Sequence, residues 1–142
     1  MARVKLDLPE QFAFVTELPV RITDINYGNH LGNDALLALL HEARVRFLQR
    51  QGLSEVDVGG CGLIMTDAVL IYKSQAVFGD VLRIQVAVQD FSPLGCDVVY
   101  LVTNAATGTE VARAKTGIIC FDYTRGKPVR CPEKFRAALA PA

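Results

Sequence analysis

The side chains most able to do chemistry are concentrated between Thr23 and Arg50. The stretch opens as Thr23-Asp24-Ile25-Asn26-Tyr27-Gly28-Asn29-His30-Leu31-Gly32-Asn33-Asp34 and continues into a leucine-rich segment that carries His41, Glu42 and Arg44. Carboxylates and imidazoles move protons, and amides orient polar groups. A polar turn feeding a helix also aims backbone N–H groups and the positive end of a dipole at any developing negative charge. Gly32, with no Cβ, would let a ligand approach that backbone closely. Structural alternatives exist for each residue. Asp24 and Asn26 are ordinary turn formers, His30 can cap the turn, Glu42 can pair with Arg46 four residues on, and Arg44 can snorkel. Taken together in one short stretch, they point to a site.

The segment that must position them is a long helix. Leu36, Leu40, Ala43 and Phe47 share one helical face, and Leu37, Leu39 and Leu48 widen it beyond half the circumference. Asn33 reads as the N-cap, Asp34 places a negative charge in the first turn, and Gly52 ends the helix. A helix so apolar is mostly enclosed, which leaves little solvent face for His41, Glu42 and Arg44.

The rest of the chain supplies an enclosure. Its 142 residues are 51% hydrophobic and 21% charged, which suits one globular domain over 1–142. The 15 basic and 15 acidic residues cancel, so nothing favours nucleic acid or an anionic membrane. There is no signal-like apolar core at the N-terminus and no apolar run of membrane-spanning length. Cys61, Cys96, Cys120 and Cys131 lack paired metal spacing, and two histidines are too few for an ordinary zinc site. Reduced thiols, a cytoplasmic location, and no metal or cofactor are expected. No Gly-x-Ser-x-Gly elbow is present, and no histidine stands in a recognisable relation to Cys61.

Residues 12–22 read as a strand, followed by the turn and the long helix. Four further strands are expected at 63–73, 81–89, 97–103 and 110–121, with a short terminal helix at 132–139. The third strand alternates cleanly, with Leu82, Ile84, Val86 and Val88 on one face and Arg83, Gln85 and Gln89 on the other. One antiparallel sheet with a single apolar face needs a cover, and one apolar helix provides it. The expected class is α+β, a five-stranded antiparallel sheet wrapped around one long helix.

The stretch from Arg21 to Asn33, with His41-Glu42-Ala43-Arg44 behind it, resembles the 4-hydroxybenzoyl-CoA thioesterase-like family of hotdog proteins. That family shows Asp-x-Asp-x-x-Gly-His-Val-Asn-Asn and then a helix containing Glu-Ala-Arg. Asp24, His30, Asn33, Glu42, Ala43 and Arg44 fall on its positions without gaps, and Gly79-Asp80 resembles its Gly-Asp before the next strand. The resemblance implies a hotdog fold and hydrolysis of an acyl thioester, with CoA or an acyl carrier protein as the carrier. It also implies a homodimer or homotetramer whose sites draw on both subunits.

The departures are informative. One branch of the family has a catalytic aspartate where this chain has Asn26, and an amide is neither a carboxylate nucleophile nor a general base. That branch's basic cluster for the CoA nucleotide is missing from the Phe91–Gly95 turn. The N–H groups around Gly32 and Asn33 are the candidate oxyanion donors at the helix N-terminus, and the resemblance gives that role to the backbone N–H at the Asn33 position; Asn26 and His30 can orient the substrate carbonyl or the attacking water. Glu42 becomes the expected working carboxylate and Asp24 the second choice. At ~1.5 Å per residue, Glu42 stands roughly 13 Å along the helix from Asn33, so it needs an extended substrate or delivery from a partner subunit. Two other readings stand beside this one: a hydratase of 2-enoyl thioesters, and a non-catalytic acyl-binding domain.

Overall fold

The computed structural model describes residues 3–140. Its elements are β1 (Phe14–Pro19), α1 (Asn33–Arg50), β2 (Gly62–Tyr72), β3 (Val81–Gln89), β4 (Gly95–Asn104), β5 (Glu110–Asp122), β6 (Lys127–Pro128) and α2 (Glu133–Leu139). The sheet runs β1-β3-β4-β5-β2, every neighbour antiparallel. This is the expected hotdog architecture.

Alternation along the strands creates the face that receives α1. Val86 pairs with Tyr100 and Tyr100 with Ala114, so one row crosses β3, β4 and β5 beneath the helix. Ile84, Val98, Val102 and Ala112 extend that row into the core. Against it α1 presses Leu36, Leu40, Ala43 and Phe47, none more than 2% exposed. Each enclosed leucine or phenylalanine contributes about 2 kcal/mol. Ala112 and Ala114 on β5 are fully buried in the same core.

The differences from expectation are local. β1 ends at Pro19, and Ile22–Asp24 forms a single 3-10 turn in place of the strand's last residues. β6, two residues paired with Phe121 and Asp122, adds a sixth strand too short to show periodicity. Gly32, not Asn33, caps α1; Asn33 is the first helical residue, and its Oδ1 accepts the Asp34 N–H at 2.8 Å. At the other end Gln51 closes the helix and Gly52 takes φ +75°, a left-handed conformation suited to glycine.

β1 and β2 are the sheet edges, and β2 pairs only with β5. Its register with β5 shifts between Met65 and Asp67, and residues 64–68 are exposed. Cys120 and Cys131 converge near the start of β2, their sulfurs 3.3 Å apart. Burial pushes the Cys96 thiol up to about 12. No helix among the described residues is long and apolar enough to cross a membrane.

Candidate functional site

The turn before α1 is built by its own polar groups. The Asp24 carboxylate is buried and accepts hydrogen bonds from the Arg21 backbone N–H (2.8 Å), Nε (3.2 Å) and Nη2 (3.0 Å). Burial raises its pKa, but the Arg21 hydrogen bonds and charge outweigh that and hold it below the usual aspartate value. The Asp24 carbonyl accepts the Gly32 N–H at 3.0 Å, so the start and finish of the turn are tied together. Asn26 Oδ1 accepts the Gly28 N–H at 2.9 Å, and the Asn26 N–H donates to the His30 carbonyl at 3.0 Å. Asn29 takes φ 64°, one of the few conformations in which asparagine replaces glycine at low cost. The Leu31 N–H donates to Ala76 at 2.7 Å, which sutures the turn to the segment after β2.

Between that turn and that segment lies a cavity of about 790 Å³. Asn26, Tyr27, His30, Gly32, Asn33 and Asp34 form one wall; Tyr72 to Ala76 and Val111 form the other. A Cβ on Gly32 would sit 2.8 Å from Asp34 Oδ1 and 3.6 Å from the Asn26 Cβ, so the glycine keeps the centre of this wall open. A Cβ on Gly28 would sit 3.0 Å from His30 Nε2 and 3.4 Å from Asn26 Oδ1, which puts the imidazole and the amide side by side. Tyr72 Oη donates to the Asn33 carbonyl at 3.2 Å. Burial first, and then the negative charge of Asp34, push the Tyr72 phenol up. Among the described residues no protein group accepts the Asn33 N–H. A free donor at the positive end of an eighteen-residue helix, opening on a cavity, suits a developing oxyanion.

The expected residues therefore separate. Asn26, His30, Gly32 and Asn33 share the cavity. Asp24 is behind the turn, engaged by Arg21. Glu42 is on another flank of α1, where its Oε2 accepts from Arg46 Nε at 2.9 Å. Arg46 in turn reaches Thr16 Oγ1 (2.9 Å) and the Glu17 carbonyl (3.3 Å) on β1. Glu42 lines a smaller depression of about 230 Å³ with Leu18, Pro19 and Arg21.

A second polar constellation includes a residue sequence reasoning did not single out. Arg44 is 6% exposed, and its Nε donates to Glu55 Oε2 at 2.8 Å while Nη1 donates to Tyr100 Oη at 3.1 Å. Tyr100 Oη and Thr116 Oγ1 are 2.8 Å apart in the core. Glu55 Oε1 lies 2.6 Å from His41 Nε2. Burial raises the Glu55 pKa, but hydrogen bonds from Arg44 and His41 outweigh it and hold the carboxyl below the ordinary glutamate value. Arg44 at an apolar position of the helix was the available signal, because a buried guanidinium requires an acceptor. Glu55 lies in a glycine-bounded linker with no pattern to mark it as that acceptor.

A model of the thioesterase-like superfamily matches residues 20–139. Similar solved structures include the following three. A 1,4-dihydroxy-2-naphthoyl-CoA thioesterase from Synechocystis has a TM-score of 0.81 at 23% identity, covering 89% of this chain and 94% of the other. A hypothetical protein from Thermus thermophilus has 0.80 at 25%, covering 89% and 96%. A protein from Staphylococcus aureus in complex with CoA has 0.81 at 18%, covering 96% and 86%. No curated protein matches the sequence. At these identities the structural likeness establishes the fold, and the residues carry the chemistry.

Proposed function

Because this chain belongs to the thioesterase-like superfamily, we propose that it hydrolyses an acyl thioester, with CoA as the carrier, to the free acid and thiol. The unclaimed Asn33 N–H at the mouth of the cavity is the observation that carries this reading. Thioester hydrolysis passes through a tetrahedral oxyanion, and a preorganised N–H at a helix N-terminus stabilises it without reorganisation. Gly32 leaves room for the thioester carbonyl, and Asn26 and His30 orient that carbonyl or the attacking water. The cavity's apolar lining, from Leu31, Leu36, Ala76 and Val111, suits an acyl group or a pantetheine arm. A Staphylococcus aureus protein of the same fold, solved with CoA, supports that choice of carrier.

The working unit is a homodimer joined through β2. This strand of eleven residues leaves one backbone edge unpaired and carries Ile64 and Met65 at 36% and 42% exposure. Such an edge invites a second strand, and two identical edges satisfy each other around a two-fold axis. Light scattering at micromolar concentration is expected to give at least twice the mass of the chain; a monomer refutes the dimer.

A panel of acyl-CoAs with a thiol-detecting reagent tests the activity. Thiol release by the pure protein is the expected result. Loss of enoyl absorbance without thiol release would mark a hydratase. Saturable binding with no turnover would mark an acyl-binding domain, a reading that the amide at Asn26 favours.

A further inference from the structure

Within one chain the cavity offers His30 and Asp34 as a base, and among the described residues no carboxylate orients the His30 imidazole. Asp24 is engaged by Arg21, and Glu42 faces β1. The geometry assigns this role to a different group: His41 of one subunit is the general base for its partner's cavity, with Glu55 and Arg44 as its positioning residues. The assignment rests on the thioesterase and homodimer readings above.

His41 has the construction of an oriented base. Glu55 can only accept, so His41 Nε2 donates to it, and the lone pair stands on Nδ1. Among the described residues Nδ1 has no hydrogen-bond partner, and the His41 side chain is 56% exposed. Glu55 cannot turn away, because the buried Arg44 holds its other oxygen and Tyr100 holds Arg44. A histidine fixed by a carboxylate, with that carboxylate fixed in turn, is the arrangement that activates water or a hydroxyl in acyl transfer.

Delivery across the dimer follows from the strands. At ~1.5 Å per residue, His41 is about 12 Å along α1 from its own Asn33, too far to serve its own cavity. The Leu63 N–H donates to the Glu55 carbonyl at 2.8 Å, which ties the His41–Glu55 pair to the start of β2. The cavity wall begins where β2 ends, at Tyr72. Antiparallel pairing of two β2 edges about their midpoint, Asp67, sets the start of one strand beside the end of the other. The charge of Asp67 at that axis is met by Lys115 of its own chain. The partner's His41 therefore approaches the Tyr72 wall. Glu42 does not, because its flank faces the far edge of the sheet.

In the reaction His41 Nδ1 takes a proton from water as the water oxygen bonds to the thioester carbon. The carbonyl electrons move onto the oxygen facing the Asn33 N–H. Collapse breaks the carbon–sulfur bond, and the leaving thiolate takes the proton back from the imidazolium. Acid and thiol leave, and the His41 imidazole is restored.

Paired variants test this. His41→Gln is expected to lower kcat about 100-fold or more with acyl-CoA binding and folding retained, since the side chain is exposed. Asp34→Asn and His30→Gln, both in the cavity wall, are each expected to lower kcat less than His41→Gln does. Glu55→Gln keeps the imidazole but removes the carboxylate that orients it, so kcat is expected to fall about tenfold or more while KM stays near wild type. The charged groups bearing on His41 are Glu55 from the linker and, behind it, Arg44. The decisive measurement mixes two impaired proteins, His41→Gln with an intact cavity and Gly32→Leu with its cavity filled. Heterodimers isolated by two tags should recover one working site, about half the wild-type turnover per dimer. Heterodimers that stay inactive overturn the assignment. So does a His41→Gln enzyme that keeps wild-type turnover, or an Asp34→Asn or His30→Gln enzyme that loses more of it than His41→Gln does. Wild-type protein that releases no thiol ends the hydrolase reading, and this assignment with it.

Discussion

The two flanks of α1 each carry an ion pair, and they differ in what lies beneath. On the β1 side Glu42 and Arg46 meet at 2.9 Å with side chains 51% and 41% exposed. On the β2 side Arg44 and Glu55 meet at 2.8 Å with side chains 8% and 28% exposed. The first pair is bathed in water, where attraction and solvation nearly cancel. The second begins in the core, where removing an arginine from water costs several kcal/mol and only a complete set of partners offsets it. Glu55 and Tyr100 provide that set, with Thr116 bonded to Tyr100 behind them, and among the described residues no buried side-chain polar atom is without a partner. A burial that expensive orders what lies above it, which here is His41.

The contrast can be broken most severely at Arg44. Arg44→Ala strands Glu55 and Tyr100 and opens a void under the helix, and is expected to lower unfolding free energy by about 3–5 kcal/mol in denaturant titration. Arg44→Met refills the volume with an apolar group and should cost clearly less. Equal losses from the two would mean that the charge matters more than the packing.

Tyr100→Phe is the next step down. It removes the hydroxyl that joins Arg44 to Thr116, and about 1–2 kcal/mol is expected for the buried partners left behind. A loss near zero would show that Glu55 alone suffices for Arg44.

Acid separates the flanks without mutation. Glu55 has a folded pKa below its ordinary value of 4.5. Its contribution to stability is therefore complete above that value and is lost as pH falls through the lower folded value. The gap in melting temperature between wild type and Glu55→Gln should narrow as pH drops below about 4.5. A gap that stays constant across that range would mean the carboxylate is not the stabilising group.

The smallest expected effect is at Glu42. Glu42→Gln loses an exposed i, i+4 pair, worth about 0.3–0.5 kcal/mol, and should leave kcat within about twofold. A drop of about 100-fold in a folded protein would reverse the comparison and make the β1 flank the working one.

Much of this was legible in the residues. The strand alternation around Leu82, Ile84, Val86 and Val88, the helical spacing of Leu36, Leu40, Ala43 and Phe47, and the sheet-around-helix class all follow from periodicities of 2 and 3.6. The polar turn was also readable, because Asp24, Asn26, Asn29 and Gly32 act over a few residues of backbone. Asn26, His30, Gly32 and Asn33 share a cavity for the same local reason: they sit on one turn and the helix end it feeds.

The assignment of neighbours across the helix was a different matter. His41 and Glu42 are adjacent in the chain, yet one turns to Glu55 and the other to Arg46 above β1. Helical periodicity sets the angle between two side chains, about 100° per residue, but not which edge of the sheet each will meet. That depends on how the helix is rotated over the sheet, a choice made by the packing of Leu36, Leu40, Ala43 and Phe47 against the strands. Glu55 was hidden for a related reason: it comes from an irregular linker, and only the folded chain brings it to Arg44. Local sequence thus determined the elements and the turn chemistry, which depend on neighbours in the chain. Tertiary structure decided which charges meet, because a buried arginine takes whichever carboxylate the packed core delivers.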